Sequence, residues 1–188
     1  MRQLSEVASR HGLIMSAADE ATVIGTDGTK SLQRLIDAAG LDLDPLALLD
    51  EAEAQGNIHV IYDMVPMPGV VEAIRGLRDR GLATALVSTT LSPFILHALD
   101  QIGIVSLFDS IVCGDMIDHR KPDPECYLRS LANLGMDASH GVAFEDSPVG
   151  IRAAKSAGLY VVGCEASIID QDTSEADETI KTFVGFTL

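Results

Sequence analysis

Apolar positions in the first third of the chain recur at three- and four-residue intervals. Leu4, Val7, Ala8 and Leu13 fit one side of a first helix that closes near Gly12. Leu32, Leu35 and Ile36 predict a second helix over Ser31–Ala39, stopped by Gly40. Asp44 and Pro45 read as cap and first turn of a third, with Leu46, Leu48, Leu49 and Ala52 on its apolar side. No clear strand pattern precedes residue 80. The region 1–63 therefore reads as a small helical unit.

The stretch Met64-Val65-Pro66-Met67-Pro68-Gly69 is a proline-marked link, and beyond it the rhythm changes. Helical patterns over Val70–Arg80, Ser92–Gln101, Pro124–Leu134 and Pro148–Ala157 alternate with short apolar runs. Those runs, Leu82–Ser88, Ile111–Cys113, Val142–Phe144 and Leu159–Gly163, predict strands. A final helix is predicted over Thr173–Lys181. Strands alternating with helices of this length mean an α/β domain over 64–188, a Rossmann-like parallel sheet with helices on both faces.

Composition narrows the setting. The 188 residues are 47% hydrophobic and 22% charged, which is globular. The net charge of −15 excludes nucleic acid and anionic membrane as natural partners, since attraction to phosphate would become repulsion. It also requires any phosphate site to be locally positive, and a bound cation would help. No apolar run is long enough for a membrane span, and the N-terminus has no signal-peptide core. Cys113, Cys126 and Cys164 lack metal or redox spacing, so they read as buried small residues of a reduced, cytoplasmic protein. The five histidines are scattered without transition-metal spacing.

Three segments carry chemistry. Glu145 and Asp146 follow the Val142–Phe144 strand and precede a helix capped by Ser147 with Pro148 in its first turn. Two adjacent acids at the carboxyl end of a strand lie where open α/β sheets bind ligands, and a hard divalent ion such as Mg2+ would relieve their repulsion. Ser88-Thr89-Thr90 ends another strand before a helix, a setting in which hydroxyls and N–H groups hold phosphate. Lys121 stands on the loop His119-Arg120-Lys121-Pro122-Asp123-Pro124, with Asp123 placed to cap the next helix. A lysine there can pair with a carboxylate and a phosphate together. Taken singly, these read first as an acidic turn, an ordinary hydroxyl cap and a surface lysine. Asp115, after a strand, and His119, near Lys121, are weaker candidates for the site, with a helix cap and a surface position as their ordinary readings.

In chain order, Ser88-Thr89-Thr90, Lys121-Pro122-Asp123-Pro124 and Glu145-Asp146-Ser147-Pro148-Val149-Gly150 resemble the haloacid dehalogenase-like superfamily, in the branch with a helical cap that includes sugar-phosphate phosphatases and β-phosphoglucomutase-like proteins. Arg10-His11-Gly12-Leu13 and the helices after it resemble the cap, Pro66–Val70 the return link, and Gly81–Gly163 most of the core. The resemblance implies that Ser88 and the backbone near Thr89 bind the transferring phosphate. Lys121 would steady the nucleophile and the phosphate charge. Asp146 would ligate Mg2+ directly, and Glu145 would support the metal. The implied reaction is phosphoryl transfer through an aspartyl-phosphate, with a small phosphorylated metabolite such as a sugar phosphate as substrate.

One family feature is not found. The motif Asp-x-Asp-Gly-Thr, which carries the nucleophile at the end of the central first strand, has no clear counterpart. Gly25-Thr26-Asp27-Gly28-Thr29 is the nearest match, but it puts glycine at the nucleophile position. It fits better as a cap loop, where Gly28 stands in the place of an arginine that often grips phosphate in mutase-like members. Without the central strand, two rows of backbone groups would lack partners, at roughly 1–3 kcal/mol for each buried group. Either the flanking strands close up, or another chain or segment supplies the strand, or the sequence is an N-terminally truncated form. The last is the expectation, and an unpaired sheet interior also favours association. The working reading is a Mg2+-dependent phosphatase lacking its nucleophile segment. The alternative is an inactive relative that binds metal, phosphorylated ligand or a partner chain. A receiver-like signalling domain fits the helical first third poorly.

Overall fold

The computed structural model describes residues 2–16, 18–19, 22–23, 28–55, 65–165 and 171–186. The chain divides into two compact units, residues 1–61 and 62–188. Gly25, Thr26 and Asp27 of the nearest motif match, and Met64 of the link, lie outside the described residues.

In the first unit, α1 (Arg2–Arg10), α2 (Gly28–Ala38) and α3 (Pro45–Gln55) are helices. Val7, Leu13, Leu32, Ile36 and Leu48 meet in one buried cluster, the positions that recur at helical spacing. Asp44 accepts a hydrogen bond from the Leu46 N–H at 2.9 Å, as its position before Pro45 predicts. The second helix begins three residues earlier than its apolar pattern, at Gly28.

The second unit runs α4 (Val70–Asp79), β1 (Ala85–Val87), α5 (Ser92–Ile102), β2 (Ser110–Val112), α6 (Glu125–Leu134), β3 (Val142–Glu145), α7 (Pro148–Ser156), β4 (Tyr160–Cys164) and β5 (Glu178–Ile180). All pairings are parallel, with flanking helices: β1 with β2, β3 with β4, and β4 with β5. Helix α6 packs on β1 and β2, and α7 on β3 and β4. Between them lies a core of Val112, Cys126, Tyr127, Ile151 and Val161. All three cysteines are buried and unpaired. Burial pushes each thiol up, that of Cys164 to about 12 with help from the nearby Asp146 and Glu145 charges.

One expectation changes. The segment 173–181 is not a helix. It folds into a turn that leads to β5, because Ala176 and Ile180 alone make no helical stripe. Asp177 also spends its carboxylate on the Val161 N–H at 2.9 Å, which fixes the segment along the edge of β4. Of the three alternatives for the sheet, closing up of the flanking strands is not the arrangement found. Among the described residues the sheet is in two parts, β1-β2 and β3-β4-β5, with a cavity of about 330 Å³ lined by both β1 and β3.

Helix α7 starts where predicted. Ser147 caps it by accepting the Gly150 N–H at 3.1 Å, with Pro148 in the first turn. The same hydroxyl donates to Glu145 at 3.1 Å, so Ser147→Ala removes a cap and a buried carboxylate's donor together. A loss of about 1–2 kcal/mol in urea unfolding is expected, and Ser147→Gly should lose nearly as much if the carboxylate bond matters as well as the cap.

Candidate active site

The carboxyl ends of β1 and β3 are bridged by one side chain. Lys121 reaches in from the loop before α6, where the Lys121–Pro122 peptide is cis. Its ammonium donates to the Val87 carbonyl at 3.5 Å, to the Tyr127 hydroxyl at 3.3 Å, and to Oε1 of Glu145. The ammonium also sits 5.0 Å from the centre of the Tyr127 ring. Lys121 and Glu145 are both nearly inaccessible, with 11% and 7% of their side chains exposed.

Glu145 is fully engaged. Tyr127 donates its hydroxyl to Oε1, and Ser147 donates to Oε2. A Cβ on Gly150 would overlap this carboxylate, so the glycine in the first turn of α7 is what lets the acid lie flat against the helix. Burial and the Glu145 charge push the Tyr127 hydroxyl far up, so it stays a neutral donor. Glu145 is therefore first the counterion of Lys121. Asp146, one residue on, projects its charge toward Tyr127 and Cys164 and raises both.

Ser88 stands just past β1. Its N–H donates to Val112 at 2.9 Å, and its Oγ accepts from the Thr90 N–H at 3.1 Å. That bond shapes the Ser88–Thr90 turn and does not cap α5. The N-terminus of α5 is held instead by Asp115, which accepts both the N–H and the hydroxyl of Ser92, at 2.8 and 2.6 Å. Those bonds hold the Asp115 carboxyl below the usual range. The cap role foreseen for Asp115 is thus the observed one. The turn is pinned from below as well: the Gly114 N–H donates to the Thr90 carbonyl at 2.9 Å, and the Thr89 carbonyl lies against the Gly114 Cα.

The structure thus joins Lys121 to Glu145 directly and sets Ser88 immediately after Val87, which Lys121 also contacts. Asp146 is exposed, and its carboxylate is a hard oxygen donor of the kind that a divalent ion such as Mg2+ takes. A second group, His119, Asp123 and Glu125, brings ligand atoms within 4.8 Å of one another on the surface. Glu125 there already accepts the N–H groups of Asp118 and His119 and an Arg129 contact, which explains it as a loop clamp. Sequence reasoning passed over Tyr127. The available signal was a tyrosine on the buried side of the helix that follows Lys121.

The chain matches a family model described as haloacid dehalogenase-like hydrolase over residues 3–164. It is 28% identical over 159 residues to fructose-1-phosphate phosphatase YqaB of Escherichia coli, covering 84% of this chain and 82% of that one. It is 29% identical over 143 residues to validoxylamine A 7'-phosphate phosphatase of Streptomyces hygroscopicus, covering 76% of this chain and spanning 66% of the relative's length. The fold is that of CbbY from Rhodobacter sphaeroides, solved with xylulose-(1,5)bisphosphate. The TM-score is 0.76 at 23% identity, over 97% of this chain and 86% of that one. Among the described residues no helix is long and apolar enough to cross a membrane.

Proposed function

Since the chain belongs to the haloacid dehalogenase-like hydrolase family, we propose that its β1–β3 end is the phosphate- and metal-binding part of a phosphatase site for small phosphorylated metabolites, sugar phosphates among them. The observation that carries this reading is the buried ammonium of Lys121, held by Glu145 and Tyr127 between the strand that leads to Ser88 and the strand that leads to Asp146. In an acidic protein that arrangement keeps one positive charge where a phosphate would need it.

In this reading Ser88 and the N–H groups of its turn take phosphate oxygens. Lys121 offsets the charge that gathers on the transferring group. Asp146 is the residue that would hold Mg2+, which supplies charge neutralisation when bound. Glu145 acts through Lys121, as the group that fixes the ammonium in place. The phosphoryl group would pass from the metabolite's oxygen to a carboxylate and then to water, which releases phosphate. Among the described residues, the carboxylate in contact with Lys121 is Glu145, both of whose oxygens are already bonded, by Lys121, Tyr127 and Ser147. That favours, as a second reading, binding of a phosphorylated ligand without turnover.

The test is phosphate release from fructose 1-phosphate with and without Mg2+, beside Asp146→Ala. Mg2+-dependent release lost in the variant supports the phosphatase. Saturable, Mg2+-dependent binding of inorganic phosphate without release supports the second reading. Neither release nor binding overturns both.

A further inference from the structure

We infer that the hydroxyl of Tyr127 is a positioning group for the proposed phosphate site. Together with Glu145 it holds two of the three N–H groups of Lys121 and leaves the third for a phosphate oxygen beside Ser88. The inference rests on the phosphate-site reading of the β1–β3 end and deepens it, since Tyr127 acts through Lys121.

An ammonium has three N–H donors and no acceptor, and a carboxylate only accepts. The Tyr127 hydroxyl lies between the two. It must therefore turn a lone pair to Lys121, at 3.3 Å, and its proton to Oε1 of Glu145. Lys121 donates to that same oxygen. Lysine, tyrosine and glutamate thus close a ring of hydrogen bonds whose donor directions are fixed. Bonds with an ionised partner are the stronger ones, and this hydroxyl has one on each side. Tyr127 is buried, so water has little access to take the hydroxyl's place.

A single carboxylate would leave the ammonium free to turn about its bond to the oxygen. The hydroxyl supplies a second point of attachment. The ring supplies a wall, because the ammonium lies over its face, 5.0 Å from the centre. The last N–H rests on the Val87 carbonyl at 3.5 Å, the longest and weakest of the ammonium's contacts. Val87 directly precedes Ser88. This is the N–H that can turn to a phosphate oxygen at the Ser88–Thr90 turn while the other two stay in place. Tyr127 and Lys121 are also set by one stretch of chain. Tyr127 stands in the first turn of α6, its N–H on the Pro124 carbonyl at 3.0 Å, and Asp123 accepts the Glu125 N–H at 2.9 Å. Phenylalanine at 127 would fill the same space and keep the ring face, but it would lose the second point of attachment.

The test follows the Lys121 ammonium by proton–nitrogen NMR of the intact chain carrying isotope-labelled lysine, in the cold. A resolved ammonium signal in contact with the Tyr127 ring protons is expected, and the contact should persist at saturating inorganic phosphate. In Tyr127→Phe, exchange of the ammonium protons with water should quicken by about tenfold or more, and phosphate should bind about tenfold more weakly, the size of one hydrogen bond to a charged group. Ser147→Ala is the control. It takes the other hydroxyl from Glu145, on Oε2, and leaves the Lys121 contacts, so the ammonium exchange should stay as it was.

Unchanged ammonium exchange in folded Tyr127→Phe overturns the proposal, because the ring alone then suffices. Equal quickening in both variants also overturns it, since the effect would then be that of Glu145. So does faster exchange with no change in phosphate affinity. Loss of the ring contact on adding phosphate, or no resolved signal in the unaltered chain, overturns it without any variant. An unaltered chain that shows the held ammonium but binds no phosphate sinks the phosphate-site reading, and the positioning role with it, since Tyr127 is then a clamp of the fold only.

Discussion

Replacing Glu145 with alanine is expected to cost the fold about 3–5 kcal/mol, because it leaves a buried ammonium without its counterion. Lys121 is 11% exposed and donates to Glu145, the Tyr127 hydroxyl and a backbone carbonyl. The two remaining neutral acceptors do not balance its charge. Lys121→Met leaves the carboxylate with the Tyr127 and Ser147 hydroxyls and should cost nearly as much. The pair Lys121→Met with Glu145→Gln should recover most of the loss, since neither charge is then buried and glutamine can still accept from Tyr127. Urea midpoints for Lys121→Met, Glu145→Gln and the double form the cycle, and a coupling under about 0.5 kcal/mol would show the pair to be independent. If the double variant is stable, loss of phosphate binding in it can be assigned to the missing charge alone.

This pair also shows where sequence reading stops. Glu145, Lys121 and Ser88 were each recognisable from their place after a strand or before a helix, because caps, prolines and short apolar runs are local signals. That Glu145 answers to Lys121 was not recognisable. The two lie 24 residues apart, and a Glu-Asp pair reads equally as two metal ligands. The role of Tyr127 was hidden for the same reason, since it depends on what meets its hydroxyl across the core. Helices carried by an apolar stripe, such as Val70–Asp79, could be placed to within a residue. The 173–181 segment could not, because β5 is fixed by an edge of β4 and by the Asp177 contact with Val161, neither of which is local. Closure of the two strands was one of three alternatives for the sheet, and the two-part sheet among the described residues is not that arrangement.

Gly114→Ala is expected to damage the Ser88–Thr90 turn more than any change to its own side chains. A Cβ at residue 114 would overlap the Thr89 carbonyl, which is backbone and cannot swing aside as a side-chain tip could. The Gly114 N–H also bonds the Thr90 carbonyl, so the strand end and the turn would have to part together. Overpacking against backbone costs about 1–3 kcal/mol. Because the displaced atoms belong to the proposed phosphate turn, binding of inorganic phosphate should weaken by about tenfold or more in protein that remains folded. Gly76→Ala supplies the contrast. Gly76 lies inside α4 with open space where its Cβ would go, so alanine there should stabilise by about 0.5–1 kcal/mol and leave phosphate affinity unchanged. Equal stability and equal phosphate affinity for Gly114→Ala and the unaltered chain would mean that the turn is not held by this contact. The phosphate role of Ser88 and Thr89 would then need another support than the close approach of β2's end to their backbone.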